Sequence, residues 1–265
     1  MLATEESPVS PTPERVRLFG CTFDVVDMEA AVARVEAFIA SGRMHQGVGV
    51  NVDQLVKMKG ELDFKRIVGR CDLITADGTP VVWASWLFGK SLPERVSGID
   101  LFEALLPVAA ARGYRVFLLG AKEDSLQGAK AEYLRRFPGL QIVGTRNGYY
   151  QREDEPEIAD QIRDSKADML FIAISSPKKE EFVDRNREAL AGVGFILGVG
   201  GSFDIAAGKV KRAPSWMGKV GVEWLYRFAQ EPKRMYKRYF VDDMAFLGMM
   251  AKEAWYTATG KAPEE

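Results

Sequence analysis

Histidine is almost missing from this chain of 265 residues: His45 stands alone, and cysteine is limited to Cys21 and Cys71. A histidine-rich zinc site is thereby excluded. A Ser-His-Asp hydrolase would have to use His45, which sits just before a strand with no nucleophile elbow nearby, so His45 is read as a surface or turn residue. Two cysteines make neither a disulfide framework nor a metal knuckle; they are expected as buried small hydrophobes in a reducing compartment. No Asp-x-Asp pair occurs, and Asp242-Asp243 and Glu153-Asp154-Glu155 look like solvated loop charge, so no metal site and no cofactor are expected. The Gly-x-x-x-x-Gly-Lys-Ser/Thr of a P-loop is absent. No apolar run approaches the about 20 residues that a membrane-spanning helix needs. The opening MLATEESPVSPTPER lacks the charged and apolar sections of a signal peptide, and residues 1–15 are expected to be a disordered tail. A net charge of −1 argues against a general nucleic-acid-binding surface.

What is present is an alternation. With 47% hydrophobic and 28% charged residues the chain can bury a substantial core. One or two short strands are expected over 17–25, then a helix from Met28 to Ile39 capped by Asp27, whose Ala31, Val32, Val35, Phe38 and Ile39 follow helical spacing. A strand at 47–50 ends at Asn51, with a helix starting near Asp53. Further strands are expected at 115–119, 140–144, 169–174 and 195–199, with helices at 124–136, 156–165 and 178–190 between them. That spacing means βαβ units: an α/β fold with a Rossmann-like, mostly parallel sheet flanked by helices. The catalytic domain is expected over 16–208 and a basic helical appendage over 209–265.

The stretch from Cys71 to Leu106 organises the chain. It begins as a strand, breaks at Ala76-Asp77-Gly78 and restarts as a helix with Thr79 as N-cap and Pro80 in the first turn. Asp77 thus lies at a strand's carboxyl end, where ligands bind in open parallel sheets, although Asp before Gly also simply closes turns. Asn51 occupies the same kind of position, as substrate contact or as cap. Gly198-Val199-Gly200-Gly201 lacks the third glycine of a dinucleotide fingerprint, so these glycines are read as close backbone approach to a ligand phosphate or a helix. After Gly208, basic residues interleave with aromatics, which suits an anionic membrane surface or an amphipathic helix on its own domain; Pro232 should divide that segment into two helices.

TADGTPVVWAS, ERVSGIDLF, SPKKEEF, GVGGSFDIAAGKVKRAP and EWLYRFAQEPKR occur in that order. Together they resemble the bacterial WecG/TagA/CpsF glycosyltransferase family, from about Val16 to about Tyr239. The resemblance implies transfer of a sugar from a UDP-sugar to an undecaprenyl-diphosphate-linked sugar, inverting and metal-independent, with Asp77 as general base. It implies a protein of the cytoplasm associated peripherally with the inner face of the membrane. It also matches Arg95 to a family arginine near the base, and Arg227, Arg234 and Lys237 to appendage side chains brought over the site. Family donors include UDP-N-acetylmannosamine, its uronic acid and UDP-glucose. Two departures stand out: Lys179 replaces the glutamine of S-P-K-Q-E, and Gly49 stands where some members have threonine. Lys179 could pair with a diphosphate or an acidic donor sugar; the alternative is a catalytically altered nucleotide-binding scaffold of a polysaccharide assembly complex. A nicotinamide-dependent enzyme fits the architecture but lacks the fingerprint. The sequence leaves monomer and homo-oligomer equally open.

Overall fold

Strands that are apolar at every position must be covered on both faces, and the helices of this chain are placed to do so. The structure, a computed structural model, describes residues 14–214, 217, 223–230, 232, 236 and 244–260. A small antiparallel hairpin, β1 (Arg15–Leu18) and β2 (Cys21–Asp24), comes first. Then follow α1 (Met28–Ala40), β3 (His45–Val50), α2 (Val52–Gly60), α3 (Leu62–Gly69), β4 (Leu73–Ala76), α4 (Thr79–Leu87) and α5 (Gly98–Arg112). The second half holds β5 (Arg115–Gly120), α6 (Glu123–Arg136), β6 (Gln141–Arg146), α7 (Glu155–Asp164), β7 (Met169–Ala173), α8 (Lys178–Arg185), β8 (Phe195–Gly198) and α9 (Ser202–Ala206). The described C-terminal helices are α10 (Glu223–Gln230) and α11 (Ala245–Thr259).

Six strands form one parallel sheet in the order β4-β3-β8-β7-β5-β6. The last strand in sequence, β8, is inserted between β3 and β7. Because every strand runs the same way, the segments after β3, β4, β7 and β8 all emerge at one edge, where parallel sheets place their ligands.

One face is covered by α1, α5 and α6 through a continuous cluster that includes Val35, Phe102, Leu105, Tyr133, Phe171 and Phe195, all fully buried. Each such side chain contributes on the order of 1.5–3 kcal/mol by leaving water. The other face is divided. Val48, Val50 and Ile74 pack with Leu55, Phe64 and Val81 of α2, α3 and α4. Leu170, Ile172 and Ile196 pack with Ile158, Phe182 and Val183 of α7 and α8. Between the two clusters the sheet is bridged rather than filled. Arg66 of α3 and Arg70, which caps its C-terminal end, reach across to Asp184 of α8, at 3.0 and 3.3 Å. The final helix α11 packs Phe246, Met249 and Met250 against the first of these clusters, and its buried Glu253 accepts hydrogen bonds from the Phe19 N–H and from Lys90.

The expected elements are found, with corrections at their ends. Gly78, not Thr79, is the N-cap of α4, which moves Thr79 and Pro80 into the first turn. Helix α8 stops at Arg185; Asn186 caps it, donating both its N–H, at 3.1 Å, and its side-chain amide, at 2.8 Å, to the Phe182 carbonyl. Helix α3 was not expected: an extended Glu61 separates it from α2. His45 is neither on the surface nor in a turn. It opens β3 at 8% exposure, stacks on Phe38 with centroids 4.2 Å apart, and lies between Ser41 Oγ at 2.9 Å and Asp72 at 3.2 Å. The expected break at Pro232 lies within a stretch most of which is outside the described residues.

Candidate functional site

The divided face opens at the carboxyl edge into a cavity of about 670 Å³, within the range of small-molecule sites. Asp77, Asn51, Arg95, Lys179, Gly198, Gly200 and Gly201 all line it. Seven residues read as site candidates from the sequence thus meet in one place. Of the other three, Arg227 has its backbone in α10, and nothing of its side chain is described; Arg234 and Lys237 lie outside the described residues.

Asp77 follows the last residue of β4, and its N–H continues the ladder onto the Val50 carbonyl at 2.9 Å. That bond fixes the backbone from which the carboxylate projects, about a quarter exposed. Gly49 of β3, paired in register with Thr75, lies diagonally across from Asp77: a Cβ built there would sit 2.9 Å from Asp77 Cβ. The absence of a side chain at 49 is what leaves Asp77 its place. Arg95 approaches Asp77 at 3.9 Å and grips Asp100 at 2.8 Å. Asp100 lies in the first turn of α5, whose cap Ser97 accepts from the Asp100 N–H and donates to its carboxylate at 2.6 Å. Arg212, from the segment after α9, donates to the other oxygen of Asp100 and also lines the cavity. Burial alone would raise the Asp100 pKa, but the hydroxyl of Ser97 and the charges of Arg212 and Arg95 outweigh it and hold the carboxyl below its ordinary value.

Asn51 caps α2 in a reciprocal capping box: its Oδ1 accepts from the Gln54 N–H at 3.2 Å while Gln54 Oε1 accepts from the Asn51 N–H at 3.0 Å. The cap and the cavity wall are therefore one residue, and the cap contributes on the order of 1 kcal/mol. Gln54 then donates to Ser176 Oγ at 3.3 Å. Ser176 donates to Glu180 Oε1 at 2.8 Å, just ahead of α8, and the Ser176–Pro177 peptide is cis. Lys179 Nζ pairs with the same Glu180 oxygen at 2.7 Å and donates to Ser176. Its methylenes cross Gly198, where a Cβ would lie 2.2 Å from Lys179 Cε. Glu180 is 2% exposed, so this ion pair belongs to the interior wall. The lysine in place of glutamine is neutralised inside the protein by the glutamate beside it.

Sequence reasoning missed Arg212, Ser97, Asp100, Gln54, Ser176 and Glu180. Ser97 three residues before Asp100 was a readable cap signal; the others come together only in the fold. Among the described residues no three His, Cys, Asp or Glu side chains are grouped as metal ligands would be. No described helix is long and apolar enough to cross a membrane. The arrangement offers a carboxylate at a strand end with Arg95 beside it, Arg212 held with Arg95 on Asp100, and open space over Gly200 and Gly201, whereas Gly198 is covered by Lys179 and is not open to a ligand. It is suited to proton removal next to an anionic group.

A protein of Bacillus subtilis (strain 168) named N-acetylglucosaminyldiphosphoundecaprenol N-acetyl-beta-D-mannosaminyltransferase is 38% identical over 172 residues, 65% of this chain and 66% of the relative. A protein of the same name from Bacillus spizizenii is 39% identical over 171 residues, 64% of this chain and 65% of the relative. The chain thus matches just under two thirds of the length of these relatives. The profile of the glycosyl transferase WecG/TagA/CpsF family covers residues 16–260, and the chain belongs to that family.

Proposed function

We propose that the cleft binds a UDP-sugar and that Asp77 takes the proton from an acceptor hydroxyl as that oxygen attacks the anomeric carbon. The oxygen–carbon bond forms as the bond to the diphosphate breaks, UDP departs, and configuration inverts. Positioned general bases contribute on the order of 10²–10⁴ in rate. Fixed positive charge stabilises the departing diphosphate without a metal, from Arg95 and, by family resemblance, from Arg227, Arg234 and Lys237. The observation that carries this reading is Asp77 itself: a carboxylate at the carboxyl end of a parallel strand, inside the cavity, with Arg95 beside it. The relatives' names suggest UDP-N-acetylmannosamine as donor and N-acetylglucosaminyl-diphosphoundecaprenol as acceptor. Such an acceptor is held in a membrane, so the protein works at an anionic inner membrane surface, which residues 209–265 contact as an appendage to the 16–208 catalytic domain.

The test is UDP release from a panel of UDP-sugars with a lipid-diphosphate-linked N-acetylglucosamine acceptor, in EDTA. Acceptor-dependent UDP from one donor is expected. Release that requires added divalent metal contradicts the metal-independent mechanism, and no release from any donor contradicts the transferase itself.

A further inference from the structure

Arg95 and Asp100 meet Arg212, from far along the sequence, beside the cavity, and the function proposed above uses only one of these three charged side chains. Asp100 shares its two oxygens between Arg95, at 2.8 Å, and Arg212, 112 residues away in sequence. Ser97 donates to the oxygen facing Arg95 and so fixes the carboxylate. Arg95 and Arg212 both line the cavity, with side chains 21% and 37% exposed, whereas Asp100 stands behind them. Two guanidiniums held to one carboxylate cannot swing apart, and each keeps further N–H donors beyond those Asp100 uses. A fork of this kind is matched to phosphate oxygens.

From this geometry we infer that Arg212 is a second diphosphate-binding residue and that Asp100 is the positioning residue that aligns Arg95 and Arg212 into one clamp on the diphosphate of the donor. The inference rests on the UDP-sugar assignment. The ligand class is a nucleoside diphosphate or its sugar ester, gripped through the diphosphate and not through the nucleoside. Because Arg212 lies at the start of the C-terminal segment, the clamp also ties that segment to the reaction centre.

Uridine and UDP are titrated calorimetrically into the full-length protein and into Arg212→Gln, Arg212→Lys and Asp100→Asn. Arg212→Gln weakens UDP about 10-fold or more, the value of one hydrogen bond to a charged group, and leaves uridine unchanged. Arg212→Lys recovers part of the loss. Asp100→Asn deletes a negative charge next to the ligand's anion, so by charge alone it would tighten UDP; as the positioning residue, it weakens UDP several-fold by releasing both arginines. Retained uridine affinity shows that each variant is folded. Asp100→Asn with equal or tighter UDP binding overturns the positioning role, and an Arg212→Gln variant that loses UDP and uridine equally, or neither, overturns the clamp. If the unaltered protein binds no UDP, the UDP-sugar assignment falls and takes the clamp with it.

Discussion

Replacing Lys179 by glutamine tests whether this lysine is the counter-ion of Glu180 or a free cation for the substrate. Glu180 is 2% exposed and its Oε1 receives Lys179 at 2.7 Å and Ser176 at 2.8 Å. Removing the cation leaves a buried carboxylate supported by a hydroxyl alone. Breaking a buried pair from one side costs about 3–5 kcal/mol, and the Ser176 bond places this case near 3. At about 2–4 °C per kcal/mol for a chain of this size, the melting temperature falls by about 6–12 °C. In the double variant Lys179→Gln, Glu180→Gln the two amides face each other and most of the loss is recovered. Thermal unfolding of the two single variants and the double variant gives the coupling directly. Additive effects, or an unchanged melting temperature in Lys179→Gln, would refute the pairing and return Lys179 to the list of ligands for an anion.

Gly49→Ala pushes a methyl to 2.9 Å from Asp77 Cβ, about half an ångström inside ordinary carbon contact. A displaced base is expected to lower kcat by on the order of 10-fold to 10²-fold, with UDP affinity retained; full turnover would dismiss the link between the two positions. Asp24→Ala removes the buried carboxylate that pairs with Arg15 at 2.8 Å and Arg34 at 2.7 Å and accepts the Ile74 N–H. A loss of about 3–5 kcal/mol is expected from the urea midpoint at constant slope. Asp168 is pushed up by burial but held below its ordinary pKa by the guanidinium and N–H of Arg115. A depressed folded pKa means this contribution is whole above the unfolded carboxyl value of about 3.9 and disappears as pH falls through the folded one. Acid unfolding of Asp168→Asn should therefore lose less stability below pH 4 than the unaltered chain; parallel curves would contradict the linkage.

The fold was legible where periodicity is strong. Alternating apolar strands and amphipathic helices announced the parallel sheet, and a parallel sheet puts Asn51, Asp77 and the Gly198 loop on one edge whatever the strand order. The strand order itself was not legible, because the neighbours β3 and β8 lie far apart in sequence. Glu61 alone separates α2 from α3, too short a gap to break a helical pattern. Lys179 and Glu180 are adjacent on α8, and adjacent residues on a helix do not normally face each other. They meet because both turn onto Ser176. The pairing of Asp100 with Arg212 was not legible for the simplest reason: only the tertiary fold makes them neighbours. His45 was misjudged because a lone histidine gives no hint of the Phe38 ring that stacks on it.

The most direct test of the central claim is the single-turnover rate of Asp77→Asn with a saturating UDP-sugar and the lipid-linked acceptor, alongside its UDP affinity. Loss of the base at unchanged geometry predicts a rate lower by about 10²–10⁴ with UDP bound as tightly as before. A near-normal rate would contradict the assignment of Asp77 as base.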